Sequence, residues 1–218
     1  MVSNLTDPIG IFDAGIGSLS IVQTVHKYYP QQDVIWLADR KSFPLGKKTA
    51  DELFEIGKAG VSQLLQRGAS QVIVAANVLS MVVLERLKAE FPKITLHGIL
   101  PPIRQASQNG DFCILGVKSM VEDLMLKNYV AGQISGTAKA FYVNASPLID
   151  ELVETGVFIT DYDRARKRVS DFMAETPDVP VYTLSSTHLP WLKEIFESVA
   201  PDKVFLDPAD DLVSNMAL

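Results

Sequence analysis

The chain has 218 residues, 47% of them apolar, with a formal net charge of −6 and a single cysteine. That is enough apolar matter for one large or two small domains with a proper core, and it excludes intrinsic disorder. Acids and bases are mixed, so a nucleic-acid surface is excluded; no internal disulfide can form, and no apolar run nears the roughly 20 residues that span a bilayer. The N-terminus lacks a basic start with an apolar h-region, and a cytoplasmic setting is expected.

Ile9 to Phe12 reads as a short strand ending on Asp13, followed by a glycine loop (Gly15, Gly17) and a helix from Ser18 to Tyr29 that Pro30 ends. Glycine turns tightly and brings bare amides close to a ligand, and a helix start suits an anion. Neither G-x-G-x-x-G nor a P-loop is completed here. Asp33 to Asp39 is a second strand. The loop from Arg40 to Thr49 leads to a helix that Thr49 caps and Gly68 stops. Gln71 to Ala75 is a third strand, with Asn77 at its exit and a helix running to Glu90. Ile94 to Leu100 is the fourth strand, and Pro101-Pro102 punctuates the chain. A second series follows: strand Phe112 to Val117, helix Ser119 to Ala131, strand Ala138 to Val143, helices Pro147 to Glu154 and Asp161 to Ala174, and strand Val181 to Leu184. Ser185-Ser186-Thr187-His188 stands at that last exit, before a helix from Pro190 to Val199 and a strand from Lys203 to Leu206.

This alternation predicts an α/β fold of two similar three-layer lobes with parallel-dominated sheets. Residues at strand exits are where open parallel sheets bind ligands. Asp13 reads as well as a helix cap as a site residue, while Asn77 and Thr187 taken singly read first as helix caps and His188 as a hydrogen-bonded histidine at a helix start. His26 and His97 lack metal-ligand partners at useful spacing, so no metal site is expected. Cys113 reads as a small buried hydrophobe at the far end of its strand. Arg164, Arg166, Lys167 and Arg168 read as a solvated helix face.

The blocks FDAGIGSLS (12 to 20), ADRKSFPLGKKT (38 to 49), VIVAANVLS (72 to 80), ILPPIRQA (99 to 106), LSSTHLPWL (184 to 192) and LDPA (206 to 209) resemble, in order and spacing, those of cofactor-independent glutamate racemases of the aspartate/glutamate racemase superfamily. The resemblance implies two lobes, residues 1–97 plus 206–218 and residues 98–205, with a substrate cleft between them and no cofactor. It implies a small amino acid or dicarboxylate as ligand, and neither a nucleic-acid nor a membrane partner; a homodimer is compatible with it. The family's chemistry uses two cysteines on opposite faces of the α-carbon. Here the first, in Cys-Asn-Thr, falls on Ala76 of Ala76-Asn77-Val78; the second, in Gly-Cys-Thr-His, falls on Ser186 of Ser185-Ser186-Thr187-His188. The family's Asp-Ser-Gly is Asp13-Ala14-Gly15 and its Pro-Tyr-Gly is Pro44-Leu45-Gly46. Asp13, Ser186 and His188 remain as candidate catalytic groups, and Gly15, Gly46, Asn77 and Thr187 as candidate substrate contacts. Two readings follow: a silent or rewired relative that binds a small acid or a partner, or an amino-acid racemase or isomerase working without thiols, with His188 serving Ser186 as base.

Overall fold

A computed structural model describes residues 7–216. Contacts divide it into two units, Met1–Leu100 with Ala209–Leu218, and Pro101–Pro208. The motif-based boundaries at 97/98 and 205/206 thus lie three residues before the contact boundaries at 100/101 and 208/209.

In the first unit, β1 (Ile9–Asp13), β2 (Val34–Ala38), β3 (Gln71–Val74) and β4 (Thr95–Gly98) form a sheet of order β2-β1-β3-β4, every pair parallel. β1 is central and buried on both faces, which is why its sequence is almost continuously apolar. Side chains alternate along it. Ile9 and Ile11 join Ile21, Val25 and Ile73 on one face, while Phe12 joins Val61, Leu64, Val72 and Val74 on the other. Helix α1 (Leu19–Tyr28) belongs to the first face and α2 (Ala50–Gln66) to the second. Gly60 of α2 lies directly against the Phe12 ring, leaving no room for a Cβ. The start of α2 is a capping box: Thr49 Oγ1 accepts the Glu52 N–H at 3.3 Å, and Glu52 Oε2 accepts the Thr49 N–H at 2.7 Å. Gly68, with φ +96°, ends it in a conformation that favours glycine.

The expected helix from Asn77 to Glu90 is two pieces, α3 (Asn77–Val82) and α4 (Leu84–Glu90), separated at Val83 (φ −129°, ψ 0°). Ser80 tethers α3 to the sheet, donating to Val74 O at 2.8 Å and accepting the Ile99 N–H at 3.0 Å, so the chain bends to keep Leu84 and Leu87 buried.

In the second unit, after α5 (Ile103–Ser107), strands β5 (Phe112–Gly116), β6 (Ala140–Asn144), β7 (Val181–Leu184) and β8 (Val204–Leu206) form a parallel sheet of order β6-β5-β7-β8, the same wiring as the first. The predicted helix 119–131 is likewise divided, into α6 (Lys118–Val121) and α7 (Leu124–Gln133). Asp123 accepts the Met125 N–H at 2.7 Å and starts a new helix. The predicted helix 147–154 is α8 (Ser146–Leu148) followed by a π-type turn, Ile149–Val153. After α9 (Val157–Thr160) and α10 (Tyr162–Glu175), the stretch from Leu189 opens as a 3-10 turn and continues as α11 (Lys193–Val199). Tyr182, Phe205 and Phe196 stack in the core with ring centroids 5.3 and 5.1 Å apart. Cys113 is fully buried near the start of β5, where burial pushes its thiol up to about 12; it is core matter. Within the α10 basic run, Lys167 pairs with Asp171 and Arg168 with Glu151.

The last helix, α12 (Pro208–Ser214), returns to the first unit, where Ala209, Val213 and Met216 pack with Ile9, Ile11 and Val25.

Candidate functional site

Both sheets carry their candidate residues at the carboxyl ends of central strands. In the first unit, Asp13 ends β1 and is buried; its Oδ1 accepts the Ala14 N–H at 2.7 Å. Its carbonyl accepts the Asp39 N–H at 2.8 Å, which ties the β1 and β2 exits together. Gly15 lies in the following loop. Ser18 fastens that loop, donating to Gly15 O at 3.4 Å while accepting the Trp36 Nε1–H at 2.9 Å. Gly46 sits in an exposed 3-10 turn, Leu45–Lys47, whose Leu45 is buried. From β3 the chain passes through Ala75, whose N–H reaches Phe12 O at 2.8 Å, to buried Ala76 and Asn77. Asn77 is not the cap of α3: it is the first helical residue, Ala76 stands at the cap position, and no side chain caps the helix. Asp13 likewise accepts its neighbour's amide, and Ser18 holds the cap position of α1 without a side-chain cap. Asn77 Oδ1 is buried without a hydrogen-bond partner among the described residues. Ala14, Leu45 and Ala76 belong to one apolar cluster, with Val78 packed against it.

The second unit differs. Beyond β7, Ser185 is fully buried, its N–H on Leu115 O at 2.8 Å and its Oγ 2.8 Å from Thr183 Oγ1. Ser186 Oγ accepts the His188 backbone N–H at 3.4 Å. His188 is buried, with Nε2 2.8 Å from Glu154 Oε1 and Nδ1 3.5 Å from Thr187 Oγ1. In this geometry both ring nitrogens of His188 have other neighbours and, among the described residues, Ser186 Oγ meets the histidine's backbone amide rather than its ring. Thr187 does not cap the following turn either: His188 holds the cap position, with no side-chain cap.

Glu154 is the residue that sequence reasoning missed. It lies 34 positions before His188, at the end of the π-type turn, and no local spacing announces it. A carboxylate accepting Nε2–H holds the imidazole in one orientation. The other histidines stand apart, His26 with Nε2 3.2 Å from Gln32 O and His97 with Nε2 2.8 Å from Gln71 Oε1. Among the described residues, no group of three or more His, Cys, Asp or Glu could hold a metal ion. No helix there is long and apolar enough to cross a membrane.

Two parallel sheets of identical wiring, each with polar groups at its central strand exits, define a protein of the two-lobe α/β racemase fold. Protein-family models return no match. Among curated proteins, the glutamate racemase of Roseiflexus sp. (strain RS-1) is 31% identical over 215 residues, covering 96% of this chain and 78% of that one; that of Clostridium acetobutylicum is 25% identical over 215 residues, covering 96% and 82%. The chain belongs to the glutamate racemase family. Among solved structures, Escherichia coli glutamate racemase in complex with L-glutamate and the activator UDP-MurNAc-ala superposes with a TM-score of 0.79 at 23% identity, covering 95% of this chain and 80% of that one. An aspartate racemase homologue from Pyrococcus horikoshii shares the fold at a TM-score of 0.60 and 15% identity, covering 96% of this chain and 100% of that one.

Proposed function

We propose that this member of the family has lost two-thiol racemisation and is silent or rewired, retaining a site for a small acid such as an amino acid. One observation carries the reading: the two positions where the resemblance places thiols hold Ala76, which has nothing to ionise, and Ser186, whose oxygen accepts only a backbone amide at 3.4 Å. Cofactor-free racemisation needs an acid and a base on opposite faces of the α-carbon. Loss of one positioned acid–base group typically costs ~10²–10⁴ in rate, and paired groups need not contribute additively. The single buried cysteine fits the cytoplasmic setting expected from the sequence.

The His188–Glu154 pair favours a second reading, a cofactor-independent amino-acid racemase or isomerase that works with non-cysteine groups. Incubating L- and D-glutamate and L- and D-aspartate in heavy water, followed by mass spectrometry and chiral chromatography, separates the two. The silent reading expects neither Cα deuterium nor inversion above buffer. Deuterium without inversion points to a single working base on the Ser186–His188 side, and inversion well above buffer supports the second reading and overturns the loss of racemisation.

A further inference from the structure

The loop between β2 and α2 gathers Arg40, Lys41, Lys47 and Lys48 within nine positions of a chain whose net charge is −6. None of the four forms an ion pair among the described residues, whereas Lys27, Lys58, Arg86 and Lys88 of the same unit each hold a carboxylate. The acids beside the loop are engaged by other groups. Asp39 accepts the Ser42 hydroxyl, Asp51 pairs with Arg86, and Glu52 closes the capping box, where Lys48 acts on it only through space. Neighbouring cations without acids repel one another, and an anion from outside the chain relieves that repulsion.

Between the two basic pairs stands Phe43, 48% exposed, with the Arg40 guanidinium 5.3 Å from its ring centroid. An exposed aromatic beside an arginine is the chemistry that anchors protein interfaces. The loop is also held in shape. The Ser42 N–H reaches Asp39 O at 3.0 Å, Leu45 is buried in the core, and the Lys48 N–H reaches Leu45 O at 3.1 Å. A surface fixed beforehand loses less entropy on docking.

The arrangement narrows the partner. Arg40, Lys41 and Lys47 are exposed and flank Phe43 and Pro44 in sequence, which suits an extended segment better than a single phosphate. Nucleic acid rewards more cations and further aromatic plates, and an anionic bilayer would repel the chain's acidic excess. We infer that the loop from Arg40 to Lys48 docks an acidic segment of a partner protein, with its carboxylates on Arg40, Lys41, Lys47 and Lys48 and an apolar side chain on Phe43. Such docking needs no ligand at the strand exits.

Fluorescence anisotropy of the full chain with a labelled peptide of Glu and Asp around a central Leu tests this. The same peptide with Gln and Asn, a labelled single-stranded oligonucleotide, and co-sedimentation with phosphatidylserine vesicles stand beside it. The acidic peptide is expected to bind about tenfold or more tightly than its amide version at low salt, and to weaken as salt rises. Lys41→Glu with Lys47→Glu is expected to weaken it about tenfold or more without moving the thermal midpoint, because both residues are exposed. Arg164→Glu with Arg166→Glu, an equal change of charge on exposed residues of α10, should leave affinity within about threefold. Phe43→Ala should weaken binding severalfold, and Phe43→Tyr, which keeps the aromatic plate, should preserve it. The inference is overturned if the amide peptide binds as tightly, if the oligonucleotide or the vesicles bind more tightly, or if no probe binds. It is equally overturned if both charge-reversed pairs weaken the peptide alike, if Phe43→Ala leaves affinity unchanged, or if the loop pair lowers the midpoint without touching affinity.

Discussion

At the exit of β7, Ser185, Ser186, Thr187 and His188 all stand in hydrogen bonds, and Glu154 reaches His188 from a distant turn. At the exit of β3, the topological counterpart in the other sheet, Ala75, Ala76 and Val78 surround one amide whose oxygen is unpaired. The strand orders β2-β1-β3-β4 and β6-β5-β7-β8 are the same. The backbone plan therefore does not set the chemistry at its ends; a few side chains just past each strand do. One end spends its polar groups on each other, and the other keeps an acceptor in reserve.

The comparison can be broken or sharpened by substitution. The largest stability effects fall on the cores, where the units are alike: Phe12→Ala and Phe196→Ala, both fully buried, should each cost about 3–5 kcal/mol in denaturant unfolding. A clear inequality would show that the two units are not equally well packed. Next comes overpacking. Gly60→Ala pushes a methyl into the Phe12 ring and should cost roughly 1–3 kcal/mol, with no matching glycine-on-ring contact in the second unit's core cluster. The exits should then diverge. Glu154→Leu strips a buried imidazole nitrogen of its acceptor and should destabilise by about 1–3 kcal/mol, against no loss for Asn77→Leu. Equal effects would erase the contrast drawn above.

The smallest effect is a pH slope confined to the first unit. Burial, and secondarily Lys88, hold His97 below its ordinary value of 6.5. The unfolded chain therefore takes the proton more readily than the folded one. This contribution to stability is whole above about 6.5 and is lost as the pH falls from there through the folded value. Thermal midpoints between pH 8 and 5 should fall less steeply in His97→Gln than in the parent.

The sheets were legible because their strands are short apolar runs, several of them closed by Asp or Gly, and the α2 start because Thr49 and Glu52 spell a capping box. The breaks at Val83 and Asp123 were not. The first depends on Ser80 bonding to Val74 and Ile99 on other elements; the second depends on a cap written inside an otherwise helical run. At the exits, the sequence named Asp13, Asn77 and His188 as residues to watch, but their partners are tertiary. Glu154 carries no sequence pattern that points to His188, and a missing hydrogen bond such as that of Asn77 Oδ1 has no signature in a string of letters.

The return of α12 has a consequence for synthesis. A ribosome delivers β1, α1 and β3 early, yet Ile9, Ile11 and Val25 gain the neighbours Ala209, Val213 and Met216 only some two hundred residues later in the chain. Tyr29 Oη bonds to Met216 O at 2.7 Å and Lys27 Nζ to Asp210 Oδ1 at 2.8 Å, so the clasp is polar as well as apolar. The second unit is continuous in sequence and needs no such wait. The half translated first is thus the half completed last, and a chain truncated before residue 209 should expose that apolar face to proteases or chaperones.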